Sequence, residues 1–369
     1  MKNLLEDIRA TLLMGPGPSC VHPATYHAMS RSTLGHLDPY FIEIMDSIKE
    51  KLRSVMGTKN NITVPMSGTG SSGMEAAFVN TVERGDRVLI LVNGVFGTRM
   101  VDVAERLGAQ VDRLDFDWGT AVIPEKVAEA LDKQSYNIVA VVHAETSTGV
   151  CNPVGEIGRI LNGKALYCVD CVTSLGGIPV ELDKWGADMS YSGTQKCLSC
   201  PPGLSPMTFS EKAMEKISAR KSKVPNWYLD LTLLTSYWSG SKRTYHHTAP
   251  INMLYGLYQS LLLLEEEGFE NAFARHRSCH EMLVKGLEKL GLSMFVEPGS
   301  RLPMLNLVSV PEGVDEAALR SRLLNEFAIE IGAGLGPLAG KVIRIGLMGH
   351  TARAENVERL LSAMEICLK

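Results

Sequence analysis

Lys196 stands in the run Tyr191-Ser192-Gly193-Thr194-Gln195-Lys196-Cys197, just ahead of Pro201-Pro202-Gly203. A lysine flanked by small polar residues, where a strand gives way to a loop, can meet the aldehyde of a cofactor. Asp170 closes an earlier apolar run, Ala165-Leu166-Tyr167-Cys168-Val169-Asp170. An amine and a carboxylate at neighbouring strand ends are what pyridoxal phosphate requires: a Schiff-base lysine and a partner for the pyridinium nitrogen. Read alone, the two residues are also consistent with a surface lysine and a strand-end aspartate that share no task, since both are common in α/β folds.

Other runs could complete or dilute that chemistry. Ser67-Gly68-Thr69-Gly70-Ser71-Ser72-Gly73 leads into a helix, where free backbone N–H groups and the helix dipole favour an anion. It lacks the dinucleotide glycine spacing and the P-loop lysine, so it is either a phosphate cradle of another kind or a glycine-rich cap without a ligand. In Asn93-Gly94-Val95-Phe96-Gly97, beyond an apolar strand, Phe96 could stack on a flat heterocycle or pack in the core. His143-Ala144-Glu145-Thr146-Ser147-Thr148-Gly149 brings hydroxyls to another strand end, with His143 reading as a hydrogen-bonded core residue. Tyr245-His246-His247-Thr248 offers hydroxyls suited to phosphate, while adjacent histidines on extended chain point opposite ways and make a poor metal site. His276 and His280 fall on one helical face with no carboxylate pattern beside them, as on a solvated surface. Arg344 interrupts the apolar run Val342-Ile343-Arg344-Ile345-Gly346. A buried guanidinium needs an anion, either a substrate carboxylate or an internal one. Cys168-x2-Cys171 and Cys197-x2-Cys200 have zinc-ribbon spacing. Cys168 lies within a strand, however, and both pairs crowd Asp170 and Lys196, so free buried thiols are the expectation.

These residues need elements to position them. Helices are expected over Met74–Val82, Arg99–Leu107 and Pro124–Leu131, and apolar strands over Arg87–Val92, Asn137–Val142 and Asp188–Ser192. Continuously apolar strands between helices imply a mostly parallel sheet covered on both faces. After about residue 250 the pattern changes to long helices, Pro250–Glu267 and Ala272–Leu290. Strands near Met304–Val310 and Val342–Leu347 and helices over Ala317–Phe327 and Arg353–Cys367 follow. The expected organisation is an N-terminal arm over 1–20 containing Gly15-Pro16-Gly17-Pro18, a large α/β domain over 21–265, and a smaller α+β domain over 266–369.

The 369 residues carry 45% hydrophobic and 21% charged side chains, an ordinary globular balance with room for two domains. A net charge of −4 without a basic block speaks against a nucleic-acid surface, and no run has the length of a membrane span. Acids in Met1-Lys2-Asn3-Leu4-Leu5-Glu6-Asp7 are unlike a secretory or mitochondrial signal, which leaves cytoplasm as the expected compartment.

Taken together, Ser67-Gly68-Thr69-Gly70, Asn93-Gly94, Glu145 to Gly149, Val169-Asp170, Ser174-Leu175-Gly176-Gly177, Tyr191 to Lys196, Tyr245 to Thr248 and Arg344 resemble, in order, the class V, fold-type-I pyridoxal-phosphate aminotransferases of the alanine–glyoxylate/serine–pyruvate group. The resemblance implies that Lys196 bonds the cofactor and shuttles the substrate proton, and that Asp170 keeps the pyridine nitrogen protonated. It implies that Phe96, where many relatives have Trp, stacks on the ring and that Thr146 lies beside the ring oxygen. Thr69, Gly70, Ser71 (often His in relatives) and Gln195 would hold the phosphate, and Tyr245 and Thr248 would reach the phosphate of a neighbouring subunit in a homodimer. Arg344 would bind the substrate α-carboxylate, with the backbone near Gly17 closing over it. The implied reaction is ping-pong transamination between alanine or serine and glyoxylate or pyruvate. The alternatives are another class V activity such as 2-aminoethylphosphonate transamination, a fold-sharing partner subunit without turnover and, further off, a cysteine desulfurase or a nicotinamide dehydrogenase.

Overall fold

The computed structural model describes residues 2–240 and 243–369. In chain order the N-terminal half runs β1 (Leu12–Leu13), α1 (Pro23–Met29), α2 (Pro39–Met56), β2 (Ile62–Ser67), α3 (Gly70–Thr81), β3 (Arg87–Val92), α4 (Val95–Arg106), β4 (Gln110–Asp115), α5 (Pro124–Lys133) and β5 (Ile138–Val142). A short hairpin, β6 (Ala144–Glu145) and β7 (Val150–Cys151), precedes α6 (Val154–Leu161), β8 (Leu166–Asp170), α7 (Leu182–Trp185), β9 (Met189–Tyr191) and β10 (Leu204–Phe209). Then come α8 (Glu211–Ser218), α9 (Leu231–Trp238), α10 (Ile251–Glu267), α11 (Phe269–Lys289), β11 (Leu305–Ser309), α12 (Glu316–Phe327), β12 (Ile329–Glu330), β13 (Gly332–Ala333), β14 (Val342–Gly346) and α13 (Ala354–Cys367).

The central sheet has seven strands in the order β2-β10-β9-β8-β5-β3-β4. From β9 to β4 the pairs are parallel, and β10 runs antiparallel to both neighbours. Every residue of β5 and β8 is buried, as unbroken apolar strands require when helices cover both faces. The register aligns Val142 with Asp170 and Asp170 with Tyr191, so the carboxyl ends of β5, β8 and β9 share one sheet edge. Ligands of open α/β sheets bind at that edge.

Helix α2 has no counterpart among the expected elements, although its signals are present in the chain. The Asp38 side chain accepts the Tyr40 N–H, Pro39 opens the first turn, and Gly57 stops the helix at φ 59°. Phe41, Met45, Ile48 and Leu52 repeat at three and four residues and are fully buried, each contributing on the order of 2 kcal/mol of apolar burial. Helices α3 and α4 begin earlier than expected, at Gly70 and Val95, because each starts in the loop after its strand.

In the C-terminal part, β14 lies between β11 and β13, antiparallel to both. Residues 12–14 pack there too. Strand β1 pairs in parallel with β12, and Leu12 and Met14 join a core with Ile329, Ile345 and Leu360. The proline-glycine turn that follows is thereby tied to the small sheet and delivered to Lys196.

Candidate active site

Lys196 sits in a closed turn after β9. Its carbonyl accepts the Ser199 N–H at 3.1 Å and the Ser19 hydroxyl at 2.7 Å. Ser199 takes φ 55°, an uncommon conformation for a residue other than glycine, and its Oγ accepts the His350 N–H at 2.6 Å. Lys196 is 8% exposed, and burial pulls its amine down to about 8. Nζ donates to the carbonyl of Pro16.

Asp170, the last residue of β8, is 3% exposed and accepts the Val172 N–H at 2.8 Å. Burial raises its carboxyl to about 7, partly opposed by that backbone N–H and by Tyr191, with buried Glu145 adding to the rise. A cation facing Asp170 would restore its charge.

The two residues share a cavity of about 180 Å³ with Thr69, Gly70, Ser71, Phe96 and Gln195. Sequence reasoning missed four of its walls, Met74, Val172, Tyr191 and Arg99. Arg99 lies one turn after Phe96 on α4, its guanidinium 5.1 Å from the ring centre. The i,i+3 spacing was a readable signal for that pair. A larger cavity of about 570 Å³, lined by His22, Ser199, Arg275 and His350, lies on the other side of the lysine turn and contains neither Lys196 nor Asp170.

The remaining expected residues do not line the cavity of Lys196 and Asp170. Arg344 is 7% exposed on β14. Its Nε donates to the Ala333 carbonyl at 2.6 Å and an Nη to the Thr146 carbonyl at 3.2 Å. Among the described residues no carboxylate pairs with it, and burial lowers it to about 10 while Glu145 opposes the shift. A guanidinium held by neutral carbonyls remains ready for an incoming carboxylate. Thr146 meets Arg344 through its backbone. Gly17, at φ 105°, passes so close to Lys196 that any side chain there would collide with the amine.

Tyr245 and Thr248 face outward, Tyr245 at 55% exposure, with their hydroxyls 3.4 Å apart. Between them His246 stacks on Trp227 and His247 contacts the Ser67 hydroxyl at 2.7 Å. The segment is therefore braced against the chain that leads into the Thr69–Ser71 turn.

Three histidine expectations change. His246 and His247, expected to point opposite ways, bring their Nδ1 atoms to 2.8 Å from each other. His143 is buried, but it packs edge-on against Trp185, and its Nδ1 has no hydrogen-bond partner among the described residues. Burial lowers it to about 4, so it is a neutral core group. His276 is fully buried rather than solvated. It contacts the Ala272 carbonyl and accepts the Gly349 N–H at 2.9 Å, because α11 packs against the loop after β14.

A family model for class V aminotransferases matches residues 22–360, most of the chain. This chain is a class V aminotransferase. The aminotransferase is 42% identical to an alanine–glyoxylate aminotransferase of Callithrix jacchus, covering 98% of this chain and 89% of that one. It is 39% identical to an (S)-ureidoglycine–glyoxylate transaminase of Bacillus subtilis, over 96% of this chain and 90% of the relative. A crystal structure of an alanine–glyoxylate aminotransferase from Nostoc sp. superposes over the whole of both chains with a TM-score of 0.96 at 48% identity. The aminotransferase is a pyridoxal-phosphate enzyme.

The cavity suits that cofactor on its own terms. It places an amine of lowered basicity, a buried carboxylate short of a counter-charge and an uncapped helix start around one space. Among the described residues the buried amide oxygen of Gln195 has no partner, leaving a side chain that can turn towards a ligand.

Proposed function

We propose that this aminotransferase transfers the amino group of a small amino acid, alanine or serine, to a small 2-oxo acid, glyoxylate or pyruvate. The observation that carries the reading is Arg344, buried and without a carboxylate partner among the described residues, beside the cavity that holds Lys196 and Asp170. The relatives named above as alanine–glyoxylate and ureidoglycine–glyoxylate enzymes support it. Neither relative is named for a phosphonate donor, which disfavours 2-aminoethylphosphonate.

Bound pyridoxal phosphate supplies an aldehyde that condenses with amines and a ring that takes up the electron pair left when an α-proton departs. The protein does the rest. Thr69, Gly70, Ser71 and Gln195 hold the phosphate with N–H and side-chain donors at the start of α3. Asp170 holds a proton on the ring nitrogen. Phe96 covers one face of the ring. Arg344 fixes the substrate carboxylate, and Gly17 brings the Pro16 turn over it. Lys196, part-deprotonated near neutral pH because burial disfavours its charge, would carry the proton between the substrate Cα and the cofactor C4′.

Tyr245 and Thr248, exposed on their own chain, serve the phosphate of a second copy, so the working unit is a homodimer. Among the described residues no helix is long and apolar enough to cross a membrane, and we place the enzyme in the cytoplasm. Domain boundaries near residues 20 and 265 fit the division of the chain between its sheets.

The visible spectrum of the purified enzyme tests the reading. A yellow enzyme should bleach with alanine or serine and regain its colour with glyoxylate or pyruvate. Colour that no small amino acid bleaches would overturn the proposed substrates. Lys196→Ala should abolish the exchange.

A further inference from the structure

Glu145 lies at the end of β6, wholly buried and far in sequence from the helix it touches. One carboxylate oxygen accepts the N–H groups of Phe96 at 3.1 Å and Gly97 at 3.4 Å. The other accepts the N–H and hydroxyl of Ser147, at 3.1 and 2.6 Å. The Ser147 oxygen in turn accepts the N–H of Val95 at 2.9 Å. The first three amides of α4, which have no partner inside the helix, therefore all end on the Glu145–Ser147 pair. The N-cap residue itself, Gly94, has no side chain to offer. A side chain at Gly94 would collide with Glu145 and Ser147, so glycine leaves the socket that the glutamate fills.

Every group aimed at this carboxylate is a donor, which selects the ionised form. The helix dipole favours the same form. Burial opposes it and raises the carboxyl, and the four donors oppose that rise. A glutamine of the same shape would turn an NH2 towards an N–H and lose part of the cap. The next residue in the hairpin, Thr146, accepts from Arg344, so this short segment touches the elements carrying both the ring-facing phenylalanine and the substrate-facing arginine.

We infer that Glu145 is a positioning residue of the active site: by capping α4 it fixes the pose in which Phe96 meets the cofactor ring. The inference rests on the proposed stacking of Phe96. Precise placement of a binding side chain contributes affinity by removing the cost of ordering it during binding. The carboxylate itself need not touch the cofactor.

A double-mutant cycle on the apoenzyme tests this, with the dissociation constant of pyridoxal phosphate as the readout. Glu145→Gln should weaken binding about tenfold in the wild-type background and at most about twofold in a Phe96→Ala background, because the cap then has no ring to place. Visible circular dichroism of the bound cofactor should change in Glu145→Gln, reporting a changed ring environment. Ser147→Ala, a milder cut in the same network, should shift both readouts in the same direction by less and covers the case in which Glu145→Gln fails to fold. Equal losses in both backgrounds, or no loss in either single variant of the cap, would overturn the inference. Phe96→Ala without effect on affinity would remove the stacking assignment and the inference with it. Phe96→Ala with a clear effect beside a silent cap would remove the inference alone.

Discussion

The amine of Lys196 donates to the carbonyl of Pro16, and the α-carbon of Gly17 passes so near that a side chain there would occupy the place of the amine. Gly17 also takes φ 105°, in the region that side chains disfavour. Two independent constraints therefore make this glycine necessary. Gly17→Ala is expected to leave the protein folded while slowing capture of pyridoxal phosphate by the apoenzyme at least about tenfold, because the turn or the lysine must move. Stopped-flow absorbance of apoenzyme mixed with cofactor measures it, and a wild-type capture rate would show that the turn yields without cost.

The pH dependence of that capture follows from burial. An ordinary lysine amine becomes a free base only above about 10.4. Burial lowers Lys196 to about 8, so the fraction of unprotonated amine rises as pH approaches 8 and saturates above it. The capture rate should follow the same curve. A rate still climbing steeply at pH 10 would mean that the lysine is not desolvated.

Asp170 predicts a stability effect in the apoenzyme. Its carboxyl is raised to about 7, against about 3.9 in an unfolded chain. Below pH 4 both states hold the proton and nothing is lost. As pH rises towards 7 the unfolded chain ionises freely while the folded one resists, so folded stability falls through that window and is flat above it. Asp170→Asn removes the penalty. Its apoenzyme should match wild type near pH 4 and exceed it above pH 7 by a few kcal/mol at most, on the order set by the shift. Cofactor affinity should move the other way, since a neutral amide cannot balance a charged ring nitrogen. Thermal melts across this range, with and without cofactor, separate the two effects.

Arg344→Gln should raise KM for the amino acid and the oxo acid about a hundredfold, as expected for losing a charge-assisted pair, with a smaller fall in kcat. Arg344→Lys should recover little, because a point charge cannot replace the planar fork. Steady-state kinetics with alanine and glyoxylate decide the matter, and unchanged KM values would move the carboxylate site elsewhere.

Sharing of the site between subunits has its own test. In a mixed dimer of Lys196→Ala and Tyr245→Ala chains, one site regains both residues only if Tyr245 serves its neighbour. Activity should reappear on mixing the two inactive or weakened variants. If Tyr245 serves its own chain, no complete site forms and mixing restores nothing. Thr248→Ala in place of Tyr245→Ala should behave alike, with a smaller deficit at the start.

The sequence by itself determined the alternating strands and helices, the strand end at Asp170, the lysine turn and the glycine-rich start of α3. Each is a local property: unbroken apolar runs, turn residues and helix starts are written within a few positions of one another. Helix α2 was equally legible in Asp38-Pro39, its apolar spacing and Gly57. Only the tertiary structure decided that β1 joins the C-terminal core, that His276 is buried and that Glu145 caps α4. These depend on contacts between residues distant in sequence, and a glutamate in a polar run carries no local mark of which helix it will meet. The type of chemistry was set by residues whose identity alone restricts it, whereas their working geometry came from packing that brings separate segments to one sheet edge.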